Sequence, residues 1–260
     1  MTAFTKSELR LRSGTLPCHI GGSGPALLYL HSAGGVRLSP ALEQLAQSFK
    51  LYVPVMPGFD GTARRDHLRS MADLADLAAE LIDTAIAGPC DVIGHSFGGW
   101  VAAWLGAKHA DKVQLLTLVA PAGFRPDGAG GLPTDPAALR RAMYAHPENL
   151  GDEKPDPQRQ AENRAAAHHY NHGVATDRDL VASLGELGAL TLILQGTKDG
   201  VIPVATPRLL KACIPHAFSV YVYDAAHALD VDQPERFVEL VTDFFTRGES
   251  FIVSRSAMAG

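Results

Sequence analysis

At 260 residues the chain is long enough for one large domain with a sizeable core, and its 46% apolar and 20% charged residues are ordinary for a water-soluble globular protein. A net charge of −5 without a basic cluster argues against a nucleic-acid partner, and no run of about 18 apolar residues is present, so no membrane partner is expected either. Cys18, Cys90 and Cys213 are widely spaced without a C-x-x-C pair, which implies neither a disulfide framework nor zinc, and Met1 to Arg12 lacks the apolar stretch of a secretory signal; the expected location is a reducing cytoplasm.

Glu8 to Arg12 alternates Leu9 and Leu11 with polar residues, a strand period, and Leu16 to Ile20 can pair with it as a hairpin. After the turn cluster Gly21 to Pro25, Ala26 to Leu30 is a continuous apolar run, as in a strand buried on both faces of a parallel sheet. The small-residue loop His31-Ser32-Ala33-Gly34-Gly35 follows. Ser39-Pro40 opens a helix to about Phe49, and Leu51 to Val53 is the next buried strand. Ser70 and Asp73 form a capping box for a helix that places Met71, Leu74, Leu77, Leu81 and Ile82 on one face.

Further strands are expected at Pro89 to Ile93, Leu115 to Val119, Leu190 to Leu194 and Phe218 to Tyr223. Helices are expected at Phe97 to Lys108, at about Val204 to Cys213, and at Pro234 to Phe245. Between Phe124 and Leu184 the chain becomes rich in Pro, Asp, Arg and His, with helical stretches at Pro136 to His146 and Pro157 to Tyr170. This reads as a helical lid at 124–184 inserted into a core formed by 1–123 and 185–260. The tail from Gly248 is expected to be loosely held. Strands alternating with helices give an α/β fold, a mostly parallel central sheet with helices on both faces, with ligands at the carboxyl ends of the strands.

The chemistry concentrates at Gly94-His95-Ser96-Phe97-Gly98, a G-x-S-x-G match between a strand and a helix. Reversing a strand into a helix within a few residues strains the apex residue and lifts the Ser96 hydroxyl clear of the sheet. A serine hydroxyl is a weak nucleophile unless a base takes its proton and a third group orients that base. His227, after the last strand and before the last helix, is the base; Asp199, in a short loop after Leu194, is the acid that fixes its tautomer. The oxyanion donors are expected to be the backbone N–H groups of Phe97 and Ala33.

These pieces, with Gly58-Phe59, Gly196-Thr197-Lys198-Asp199 and His227 before Gln233-Pro234-Glu235-Arg236-Phe237, resemble the α/β-hydrolase-fold serine hydrolases over essentially the whole length. The resemblance implies a cofactor-free serine hydrolase acting on a small-molecule ester or lactone through an acyl-enzyme. Alternatives are hydrolysis of a carbon–carbon bond in a vinylogous diketone ring-cleavage product, a perhydrolase or thioesterase, and a ligand receptor that keeps the fold without the chemistry. Two departures stand out: the usual His-Gly loop reads His31-Ser32, and the usual Gly-Phe-Gly-x-Ser reads Gly58-Phe59-Asp60-Gly61-Thr62.

His31, Ser32, His95, Met143 and Tyr144 are candidate substrate-binding residues, with Tyr170 a further candidate for the pocket wall. Asp127 is the rival acid, Asp224 and Asp230 read as solvated, and Trp100 and Trp104 read as core. His168, His169 and His172 invite a metal reading, but no H-E-x-x-H motif supports it and no metal is expected. Association into a homo-oligomer is left open.

Overall fold

The computed structural model describes residues 4–151 and 156–252. The alternating Leu9 and Leu11 lie on β1 (Thr5–Leu11), which pairs antiparallel with β2 (Gly14–Gly21). The apolar run at 26–30 is β3 (Ala26–Leu30), followed by α1 (Pro40–Leu45), β4 (Lys50–Pro54), α2 (Met71–Leu81), β5 (Cys90–His95), α3 (Phe97–Lys108) and β6 (Val113–Val119). After β6 come α4 (Pro136–Met143), α5 (Pro157–Asn171) and α6 (Arg178–Ser183). The chain then returns through β7 (Leu190–Gly196), α7 (Thr206–Cys213), β8 (Ala217–Val222), α8 (Leu229–Asp232) and α9 (Pro234–Arg247). The sheet order is β1-β2-β4-β3-β5-β6-β7-β8, antiparallel at β1, β2 and β4 and parallel from there on.

Period-two alternation divides the core between the two faces of the sheet. Leu28 and Leu30 of β3, Val92 of β5 and Leu116 and Leu118 of β6 pack with α2 and α3. Leu27 and Tyr29 of β3, Val53 of β4 and Leu192 and Leu194 of β7 pack with α1 and α9. Each fully buried Leu contributes about 1.5 to 3 kcal/mol relative to exposure, so the central strands are held by burial on both faces. The Ser70–Asp73 capping box forms as expected: Asp73 N donates to Ser70 Oγ (3.1 Å) and Ser70 N to Asp73 Oδ2 (2.9 Å).

α6 and α8 are additions to the elements the sequence predicts, and three other stretches depart from the expectation. α1 stops at Leu45 because the next turn tightens, with Gln47 N donating to Gln44 O and Ser48 N to Leu45 O, each three residues back. α4 stops at Met143 because the N–H groups of Ala145 and His146 donate to the Asp232 carboxylate instead of continuing the helix. Gly248–Ile252 is a short 3₁₀ turn in which Phe251 packs against Phe244 and Phe218; the rest of the tail, 253–260, lies outside the described residues.

The segment between β6 and β7 is tied to the core at its far end. Asp177 caps α6 by accepting from Leu180 N (3.0 Å), and its other oxygen accepts from both Trp100 Nε1 and Trp104 Nε1, each at 2.8 Å. The two tryptophans on α3 thus serve as hydrogen-bond anchors as well as apolar packing.

Candidate active site

Ser96 stands between β5 and α3 with φ 55° and ψ −110°, a conformation that costs a non-glycine residue about 1 to 3 kcal/mol. The backbone around it over-determines that geometry. Ser96 N donates to Val119 O (2.9 Å), and Ser96 O accepts from Trp100 N (3.1 Å) and Ala122 N (3.0 Å). The flanking glycines are required by close approach: a Cβ on Gly94 would lie 2.3 Å from Gly98 O, and one on Gly98 would lie 2.1 Å from Leu30 O.

Asp199 and His227 meet beside this elbow. His227 Nδ1 is 3.1 Å from Asp199 Oδ2, and the two side chains are 2% and 0% exposed. Removing a carboxylate from water is costly unless its oxygens are hydrogen-bonded. Here Oδ1 accepts from Val201 N (2.7 Å) and Ile202 N (2.9 Å), and Oδ2 also accepts from Gln195 Nε2 (2.7 Å). With Nδ1–H on the carboxylate, the ring's lone pair is left on His227 Nε2. The rival Asp127 has a side chain 93% exposed, 3.9 Å from Arg178, and does not reach His227 by any contact in the structure.

The loop after β3 is pinned by His31. Its Nδ1–H donates to Ser32 O (2.7 Å) and its Nε2 accepts from Met56 N (3.1 Å), so both ring nitrogens are committed to backbone; burial holds its pKa down. Ser32 Oγ accepts from Gly34 N (3.3 Å) inside the same loop. Phe97 opens α3, so its N–H is among those a helix leaves without an internal partner. Its ring packs 5.2 Å from Phe59 and 6.4 Å from Tyr170. His95 Nε2–H donates to His227 O (3.0 Å), and the two rings lie 5.1 Å apart. Burial, then the neighbouring His227, lowers the His95 pKa to about 4, so it is neutral at pH 7.

Met143 and Tyr144 reach this region from the end of α4. Ala228 N donates to Met143 O (3.0 Å), Gly200 N to Ala142 O (3.1 Å), and Arg37 donates to the Tyr144 hydroxyl (3.4 Å). The backbone at the end of α4 is therefore bonded to the Asp199 loop and to the His227 loop.

The family model described as the Alpha/beta hydrolase family matches residues 16–240. The chain belongs to this family. Among curated relatives of this hydrolase, 2-hydroxymuconate semialdehyde hydrolase of Pseudomonas sp. (strain CF600) is 27% identical, over 91% of this chain and 92% of the relative. Pimeloyl-[acyl-carrier protein] methyl ester esterase of Aeromonas salmonicida (strain A449) is also 27% identical, over 86% and 96%. Among solved structures, 2-hydroxy-6-oxo-6-phenylhexa-2,4-dienoate hydrolase from Rhodococcus sp. strain RHA1 shares the fold at a TM-score of 0.77 with 18% identity, covering 95% of this chain and 100% of that one.

Several polar residues of the hydrolase sit otherwise than the sequence suggested. Asp230 is buried, not solvated, and Asp224 is half-buried, bonded to Lys198 and to His146 Nε2 (2.9 Å). His169 Nε2 bonds to Leu68 O (3.1 Å), and His172 is the left-handed C-cap of α5 with φ 52°, its N–H donating to His168 O (2.9 Å). Tyr170 is buried with its hydroxyl on Pro57 O (2.8 Å). Gln195 and Asp232 escaped the sequence reading. The signal for Gln195 was a lone amide at the end of an apolar strand, and for Asp232 an acid two residues before the Pro that starts the last helix. No helix among the described residues is long and apolar enough to cross a membrane.

Proposed function

We propose that this hydrolase cleaves a small or medium carboxylic ester or lactone with Ser96 as nucleophile. The observation that carries the reading is the buried Asp199–His227 pair at 3.1 Å, beside a serine held in a strained elbow. In this mechanism Ser96 Oγ attacks the carbonyl carbon while His227 Nε2 takes the hydroxyl proton. Asp199 stabilises the imidazolium without itself taking the proton. The N–H groups of Phe97 and Ala33 receive the developing oxyanion. His227 returns its proton to the leaving alcohol, and water then hydrolyses the acyl-enzyme by the same route in reverse order.

The relative acting on a methyl ester supports this reading. The relative named as a semialdehyde hydrolase supports a second one, cleavage of a carbon–carbon bond in a ring-cleavage product. Turnover of p-nitrophenyl esters, a γ-lactone and a 2-hydroxy-6-oxo-dienoate separates them. Ester or lactone hydrolysis lost in Ser96→Ala is the expected result. Turnover of the dienoate alone selects the second reading, and undiminished turnover in Ser96→Ala refutes both.

A further inference from the structure

We infer that Asp60 and Asn163 form a positioning pair through which the α5 helix holds the oxyanion loop in register. This rests on the reading of Ser96 as nucleophile and of Ala33 as an oxyanion donor. Asp60 occupies one of the two positions at which the sequence departs from the pattern it resembles, and its side chain explains the departure. Asp60 Oδ2 accepts from Val36 N (2.8 Å), and Oδ1 accepts from Asn163 Nδ2 (3.0 Å). Asn163 Oδ1 in turn accepts from Asp60 N (2.9 Å), and its Nδ2 also donates to Gly34 O (2.8 Å).

Two backbone groups on either side of Gly35 are thus fixed by one carboxylate and one amide. The pair is packed directly on that glycine: Gly35 has φ +90°, and a Cβ there would lie 2.2 Å from Asp60 Oδ1 and 2.6 Å from Asn163 Nδ2. Asn163 is 1% exposed in the middle of a helix whose other polar residues mostly face outward. Asn is a poor helix-interior residue because it competes for backbone hydrogen bonds. Here its amide turns away from its own helix and into the loop. The core holds the other end of the same loop through His31 and Met56 N (3.1 Å). The Ala33 N–H lies between a core anchor and a lid anchor. Releasing the lid anchor lets that donor drift, and a misplacement of about 1 Å costs up to about 10²-fold in rate.

The test is steady-state hydrolysis of p-nitrophenyl butyrate by wild type, Asn163→Ala, Asn163→Asp and the double variant Asp60→Asn/Asn163→Asp. Inhibition by butylboronic acid, which forms a tetrahedral adduct, and by butyrate, which does not, is measured alongside. Asn163→Ala is expected to lower kcat about 10- to 100-fold with KM changed less than about twofold. The boronic acid should weaken in parallel with kcat while butyrate inhibition holds. Asn163→Asp sets a carboxylate against both Asp60 and Gly34 O. Adding Asp60→Asn removes the first conflict and leaves the second, so kcat should recover at least about threefold but stay below wild type, a rescue that remains readable if Asn163→Ala does not fold. Unchanged kcat and boronic acid affinity in folded variants, or no recovery in the double variant, overturns the inference alone. A wild type without ester turnover and without reaction at Ser96 overturns the serine-hydrolase reading itself, and this inference with it.

Discussion

Asp199→Asn is the substitution whose consequence the geometry specifies most narrowly. Oδ1 of Asp199 accepts from the backbone N–H groups of Val201 (2.7 Å) and Ile202 (2.9 Å), which cannot turn away. The asparagine oxygen must therefore take that place, and the amide nitrogen takes the place of Oδ2. Two donors already point there, Gln195 Nε2 at 2.7 Å and His227 Nδ1 at 3.1 Å. The imidazole can avoid a donor–donor clash only by moving its proton to Nε2, the nitrogen that must accept from Ser96. A triad with the wrong tautomer loses about 10⁴ in kcat, equivalent to about 5 kcal/mol at 1.36 kcal/mol per decade. Gln195 supplies a control. Its Oε1 has no hydrogen-bond partner among the described residues, so in Asp199→Asn its amide can turn over and accept from the new amide nitrogen, whereas the imidazole can only move its proton. Adding Gln195→Leu to Asp199→Asn removes that acceptor, so it should lower the melting temperature further and leave kcat low. Single-turnover kinetics and thermal melts on both variants make the comparison. Asp199→Asn within about tenfold of wild type, or kcat recovering with Gln195→Leu, would refute the tautomer argument.

Gly98→Ala brings a Cβ to 2.1 Å from Leu30 O, a backbone atom with no freedom to yield; the expected loss is about 1 to 3 kcal/mol in urea unfolding with kcat falling in parallel. Asp232 accepts from Ala145 N (3.0 Å), His146 N (2.9 Å) and Ala226 N (2.7 Å), so Asp232→Ala orphans three donors and should cost about 2 to 4 kcal/mol, with faster hydrogen exchange at 144–146 and 226–228 as the local sign. Burial raises the Asp91 carboxyl to about 7, and its Oδ1 has no hydrogen-bond partner among the described residues. Between the unfolded value near 3.9 and about 7, the folded form keeps a proton that the unfolded chain has released, so stability falls as pH rises through that window and levels off above it. Asp91→Asn should remove that slope and raise the melting temperature at pH 8; a variant no more stable than wild type at pH 8 would contradict it.

The strands and the elbow were legible because burial on two faces leaves a continuous apolar run, as at 26–30 and 192–194, and because Gly94 and Gly98 answer to backbone contacts, one four residues away and one on the neighbouring strand. Asp199 and His227 were legible because each follows a strand and precedes a helix, a local pattern. What escaped is long-range. The carboxylate of Asp232 reaches back 87 residues to Ala145 and ends α4 three residues before the expected His146. The Asp60–Asn163 pair joins residues 103 positions apart, and nothing in either neighbourhood announces the other. Asp177 shows the same limit, since its role as a helix cap is local and its bonds to Trp100 and Trp104 are not. His31 was recognised as part of the loop, but its two backbone partners, one of them 25 residues away, assign it to holding that loop.

The most direct test of the central claim is covalent labelling of the wild-type chain with a fluorophosphonate, followed by mass spectrometry of the adduct. One label per chain on Ser96, lost in His227→Ala and slowed in Asp199→Asn, is the result expected of a serine activated by the buried Asp199–His227 pair. A folded chain that takes up no label, or takes it up at another residue, would contradict the assignment of Ser96 as nucleophile.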